Sequence, residues 1–167
     1  GTSVNLSAAT ATIVLAAGTY RLTLAGANEE ASLSGDLDVI EPLLVQGAGA
    51  SATIIDATGL GDRIFDIGPG GQAVTFTLTG ARLTGGRAVE GSGGAIYVRG
   101  GPTAFLTDCE LVANAAESMT EGGGQGGAIA NEGITTITRC VIRNNTASGS
   151  GGALSFGGGG PARLTIV

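Results

Sequence analysis

The segment GANEEASLSGDLD gathers four carboxylates, Glu29, Glu30, Asp36 and Asp38, within ten positions. Oxygen-rich clusters are what Ca²⁺ takes up, since it needs six to eight oxygen ligands. The spacing is not that of a D-x-D-x-D-G loop, and acidic residues at a turn need only solvent to account for them. A solvated loop is the favoured reading, with Ca²⁺ as the alternative and no other cofactor expected. A second group, Asp56, Asp62 and Asp66 with Arg63, lies in TIIDATGLGDRIFDI. Carboxylates held several ångströms apart can act as general acid and base. Turn capping and surface solubility explain the same residues, and that reading is preferred.

Other chemistry is removed by what the chain lacks. It has no His, so no Ser-His-acid triad can form within it, and the commonest general base and metal ligand are missing. Two cysteines without His do not make a zinc site. The net charge is −6, carried by 14 acidic residues against eight scattered arginines with no Lys. That balance speaks against nucleic acid and anionic membrane surfaces, which need clustered positive charge. No apolar run approaches the roughly 20 residues that span a bilayer, so no membrane insertion is expected.

The elements that must position these residues are announced by a repeat. GGAI stands at Gly93–Ile96 and again at Gly126–Ile129, and GGAL stands at Gly151–Leu154, so the copies are 33 and then 25 residues apart. A second pattern runs beside it. LTDCEL (Leu106–Leu111) matches ITRCVI (Ile137–Ile142), and LTGARL (Leu78–Leu83) is a weaker copy. Repeats of this length belong to solenoids or propellers. The apolar runs are short and rich in β-branched residues, which favours strands. With 32 glycines in 167 residues a helical solenoid is excluded, since each Gly costs a helix about 1 kcal/mol. The repeat is too short for a four-stranded propeller blade.

The expected fold is therefore all-β: a right-handed parallel β-helix of about five to six coils, each turning through three short strands. Gly93, Gly94, Gly126, Gly127, Gly151 and Gly152 would serve as corners, because Gly adopts positive φ without steric cost. Ile96, Ile129 and Leu154 would point inward and stack. Cys109 and Cys140 would lie about 4.8 Å apart in successive coils. Side chains stacked in parallel leave their Cβ atoms slightly too far apart for an unstrained disulfide. Two free thiols acting as small apolar residues are expected, as Ala81 at the same place in the weaker copy suggests; a strained bridge in an oxidising compartment is the alternative. Asn114 and Asn145 would form an asparagine ladder, with amides bonding along the stack.

ATIVLAAGTYRLTLAG, SGDLDV, LLVQGAGASATIIDATGLGDRIFDI and the GGAI coils together resemble secreted bacterial parallel β-helix repeat proteins, often found downstream of the module named for its CSLREA motif. The GGA[IL] copies also resemble those of polymorphic outer-membrane proteins. The resemblance covers nearly the whole chain, although the CSLREA segment is absent. It implies fold and an extracellular or cell-surface location rather than an activity. Right-handed β-helices include pectate lyases and polygalacturonases, which use carboxylates, Ca²⁺ or Arg on one outer sheet; their motifs do not occur here.

These readings converge on one β-helix domain over residues 1–167, part of a longer chain or assembly because PARLTIV begins another strand. The expected function is that of a non-catalytic extracellular structural or adhesive module, stacking head to tail on itself as a fibre or surface layer. The alternative is a β-helix that binds or cleaves a surface polysaccharide.

Overall fold

Short apolar runs separated by glycine corners wind the chain into a parallel β-helix, seen in a computed structural model that describes residues 9–26, 33–120, 122–157 and 162–167. The first turn consists of β1 (Ala11–Val14), β2 (Gly18–Arg21) and β3 (Leu37–Val39). The second consists of β4 (Leu43–Gln46), β5 (Thr53–Asp56) and β6 (Phe65–Ile67). The third runs through β7 (Thr75–Thr79), β8 (Arg82–Thr84), β9 (Arg87–Val89) and β10 (Ile96–Val98). The fourth runs through β11 (Thr103–Thr107), β12 (Glu110–Val112), β13 (Ala115–Glu117) and β14 (Ile129–Asn131). The fifth runs through β15 (Ile134–Thr138), β16 (Val141–Arg143), β17 (Thr146–Ala147) and β18 (Leu154–Phe156), and β19 (Arg163–Ile166) opens a sixth. Among the described residues every regular element is a strand and every pairing is parallel.

Four sheets result. The first has the order β1-β4-β7-β11-β15-β19, the second β16-β12-β8-β5-β2, the third β18-β14-β10-β6-β3 and the fourth β17-β13-β9. Three strands per turn hold for the first two turns only. From the third turn onward a fourth short strand appears, and the sequence gives little sign of it. RAV, AAE and TA are too short to show alternation.

Alternation places the core. In β7, Phe76 and Leu78 are fully buried while Thr75 and its alternate neighbours face out. In the third sheet the first residues of each strand, Leu37, Phe65, Ile96, Ile129 and Leu154, are register partners and form one interior column. Phe65 packs on Phe76 from the first sheet with ring centroids 5.0 Å apart. Each such fully buried side chain stabilises the stack by roughly 1.5–3 kcal/mol.

The two glycines of each GGA copy meet two different demands. Gly93, Gly126 and Gly151 have φ of +71°, +66° and +68°, a left-handed conformation that penalises any Cβ. Gly94 and Gly127 have ordinary φ but no room. A Cβ on Gly94 would strike the carbonyl oxygens of Gly127 and Ala115, and one on Gly127 would strike those of Gly152 and Thr146. Gly152, on the fifth turn, meets only the Asn145 oxygen at 3.9 Å.

Candidate functional site

The third sheet carries the titratable chemistry on its outer surface. Its strands are three residues long, so the central residue of each faces out: Asp38, Asp66, Tyr97, Ala130 and Ser155, joined in register. Asp66 is nevertheless only 1% exposed, because two arginines close over it. Arg99, just after β10, grips it with Nη2 at 2.6 Å from Oδ2 and Nε at 2.9 Å from Oδ1. Arg63, just before β6, places Nη1 at 2.7 Å from Asp66 Oδ2 and 3.1 Å from Asp36 Oδ2. The Tyr97 ring lies against both cations, with its centroid 4.7 Å from the Arg99 guanidinium carbon and 5.4 Å from that of Arg63. Such contacts strengthen when desolvated. The Tyr97 hydroxyl donates to Glu132 Oε1 at 2.8 Å.

Charge is unevenly matched within this cluster. Asp36, Asp38, Asp62 and Asp66 face two guanidinium groups. Burial, followed by the neighbouring Asp62 charge, pushes Asp36 up to about 7, although Arg63 opposes the shift. Burial also raises Asp62, whose Oδ1 accepts the Arg63 backbone N–H at 2.8 Å. Burial and the Glu132 hydrogen bond raise Tyr97 to about 12. A carboxyl that shares a proton near neutrality has the titration of a general acid. Asp36 is only 3% exposed, however, and Asp66 has both oxygens engaged by arginine. As it stands the cluster clamps the 33–38 segment to the second and third turns.

The expected cation-binding group is redistributed. Glu29 and Glu30 lie outside the described residues. Asp36 and Asp38 come together with Asp66, and one ligand atom from each falls within 4.8 Å of the others. Arg63 Nη1 already bridges Asp36 and Asp66, so the positive charge at the centre of this donor set is a guanidinium. The trio Asp56, Asp62 and Asp66 is split. Asp56 belongs to the second sheet, where it pairs with Arg21 at 2.8 Å and accepts the Thr58 N–H at 2.9 Å, and its carboxyl is lowered chiefly by the Thr58 hydrogen bonds. Asp62, Arg63 and Asp66 remain together. Sequence reading missed Arg99, Tyr97 and Glu132 as members. The signal was available: Asp38, Asp66 and Tyr97 are 28 and 31 residues apart, the same steps that separate Leu78, Leu106 and Ile137.

Beyond Tyr97 the same face opens into a polar hollow of about 310 Å³. Its lining includes Ser92, Gln125, Glu132 and Ser155, with the Ser155 hydroxyl donating to Gln125 Oε1 at 2.9 Å. On the opposite flank, Asn114 and Asn145 stack at one corner. Asn114 Nδ2 donates to Asn145 Oδ1 at 3.0 Å, and the Gly86 N–H donates to Asn114 Oδ1 at 3.0 Å. Cys109 and Cys140 are free thiols at equivalent corners between the first and second sheets, one buried and the other half-buried. Among the described residues, seven arginines are held by acids on neighbouring turns or in the same cluster, including Arg82 and Arg143 on Glu110, Arg87 on Glu117 and Arg139 on Asp108. The scatter of arginines in sequence is thus a set of links between coils. Among the described residues no helix is long and apolar enough to cross a membrane.

No family model, curated protein or solved structure matches the chain.

Proposed function

We propose that this chain is a non-catalytic extracellular β-helix module that stacks end to end on further copies of itself. One observation carries the reading. Large exposed apolar side chains collect at the two ends of the described stack: Ile13, Val14, Leu24 and Ile40 on the first turn, and Val141, Phe156, Ile166 and Val167 at the other end. The second turn has none, and the third and fourth have only Val89, Phe105 and Met119. The mouth of the first turn is an apolar hollow of about 350 Å³, lined by Ile13, Leu15, Leu22, Val45 and Phe65 among others. A second copy fits this geometry because β19 of one chain beside β1 of the next continues the six-stranded first sheet at the ordinary strand spacing. Such a contact is heterologous and does not close, so it generates a fibre. The resemblance of the GGA[IL] coils to secreted bacterial and outer-membrane repeat proteins supports the extracellular, cell-surface setting.

The test is mass by light scattering across concentration, joined to electron microscopy. Mass should grow with concentration into filaments one coil-stack wide. Ile13→Arg and Ile166→Arg lie on the two faces of this one contact, so each variant should stay monomeric. A strict monomer at every concentration overturns the assembly reading.

The polar hollow beside Tyr97 favours a second reading, adhesion to a polysaccharide. Its hydroxyl, amide and carboxylate lining suits a neutral, hydroxyl-rich glycan better than a uronate, which Glu132 repels. Retention on immobilised neutral polysaccharides that weakens in Glu132→Gln supports it, and no retention on any of them removes it.

A further inference from the structure

Cys109 and Cys140 follow strands β11 and β15, whose last paired residues are Thr107 and Thr138, and precede the pair Glu110 and Val141. They are therefore stacked directly across the fourth and fifth turns. At this rung the backbone changes partner: the Cys109 N–H donates to Cys140 Sγ at 3.4 Å. The residue before each cysteine, Asp108 or Arg139, has a left-handed φ of 53° or 49°, so both cysteines sit at tight corners rather than in mid-strand. The two sulfurs differ in access. Cys109 is 2% exposed, whereas Cys140 is half-buried.

We propose that this pair is a thiol–disulfide exchange site, with Cys140 the attacking sulfur, Cys109 the resolving one, and a small-molecule disulfide the oxidant. Stacked strands hold the two Cα atoms about 4.8 Å apart, inside the roughly 4.4–6.8 Å range of disulfides. The Cβ atoms must close by about 1 Å, to ~3.8 Å, and two corners share that movement.

The electrostatics agree with the geometry. The neighbouring Cys109 side chain and the Cys109 N–H, which donates to Cys140 Sγ at 3.4 Å, hold Cys140 below the ordinary thiol range, at about 7, against the effect of burial. The same interaction and burial push Cys109 up, so it remains a protonated thiol until the second step.

The chemistry balances in two displacements. The Cys140 thiolate attacks one sulfur of the small disulfide; that S–S bond breaks, a mixed disulfide forms on Cys140, and one small thiolate leaves. Cys109 then gives up its proton and attacks Cys140 Sγ, forming the intercoil bond and expelling the second small thiolate, which takes the proton. Two protein thiols are oxidised and one small disulfide is reduced to two thiols.

Glutathione disulfide is the probe, applied to the folded chain near neutral pH, with thiol titration and intact mass as readouts. The wild-type chain should lose both thiols, retain no glutathione, and react with a rate that rises through about pH 7 instead of the ordinary ~8.5. Cys109→Ser should stop at one stable glutathione adduct, and Cys140→Ser should not react while folded. If the wild-type chain keeps both thiols, or halts at a mixed disulfide on Cys140, the proposal fails. The wild-type mass and pH profile decide the matter even if a variant does not fold.

Discussion

Asn114 and Asn145 occupy the same corner of successive turns, and a single oxygen, Asn145 Oδ1, accepts both the Asn114 backbone N–H at 2.9 Å and its Nδ2 at 3.0 Å. Asn114 is 1% exposed and repeats the arrangement upward, offering Oδ1 to Gly86 and Nδ2 to the Leu83 and Val112 carbonyls. A corner turns backbone groups away from any sheet ladder, and buried groups left unpaired cost about 1–3 kcal/mol each.

Asn114→Ala should therefore destabilise the chain by about 2–4 kcal/mol, read as a lowered urea midpoint. Asn145→Ala, at a half-buried corner, should lower it less, because water replaces part of what is lost. Equal effects would show that the ladder does not distribute as the burial implies.

The second glycine of each GGA copy gives a sharper contrast. Gly127→Ala places a methyl group against the Gly152 and Thr146 carbonyls, both backbone atoms of the neighbouring turn that cannot rotate away. Gly100 has open space at the same test. Gly127→Ala should abolish cooperative folding by circular dichroism, and Gly100→Ala should leave the midpoint within about 0.5 kcal/mol of wild type.

That contrast also shows what the sequence reveals and what it hides. GGAI and LTxC advertise the coil because the same steric and packing demands recur at each turn, so Ile96, Ile129 and Leu154 can be aligned by eye. The Asp36–Arg63–Asp66–Arg99–Tyr97 cluster is built once, from different residue types at equivalent positions. No repeat marks it, and only counting coil steps from Asp38 through Asp66 to Tyr97 would have assembled it. Asp56 misleads because ten residues in sequence are about a third of a turn in space, enough to move it onto a different sheet.

Asp66, itself buried, is held by two partly exposed guanidinium groups. Asp66→Ala should cost about 3–5 kcal/mol, since it removes the buried carboxylate that Arg63 and Arg99 both hold, at 2.7 and 2.6 Å. Glu117→Gln removes the partner of Arg87 in an exposed pair and should leave the denaturant midpoint unchanged. Comparable losses from both would contradict the assignment of the clamp to the third sheet.

Asp36 sets the direction of the pH dependence. Its folded carboxyl titrates at about 7 against 3.8 for an unperturbed one, so the native state holds a proton that the unfolded chain has released. Native stability is favoured below the unfolded value and declines as pH rises from about 4 through about 7. Asp62 is shifted in the same direction by burial. Asp56 and Glu110, lowered by their hydrogen bonds and arginine partners, act oppositely and withdraw stability as pH falls below the ordinary carboxylate range. The urea midpoint should therefore peak on the acid side of neutrality. Asp36→Asn should flatten the fall between pH ~4 and ~7 and leave the acid limb in place. Cys140 titrates near neutrality too, with the opposite sign, but it is common to both chains and cancels in the difference. A variant whose midpoint falls as steeply as wild type over that range would remove Asp36 as the source of the slope.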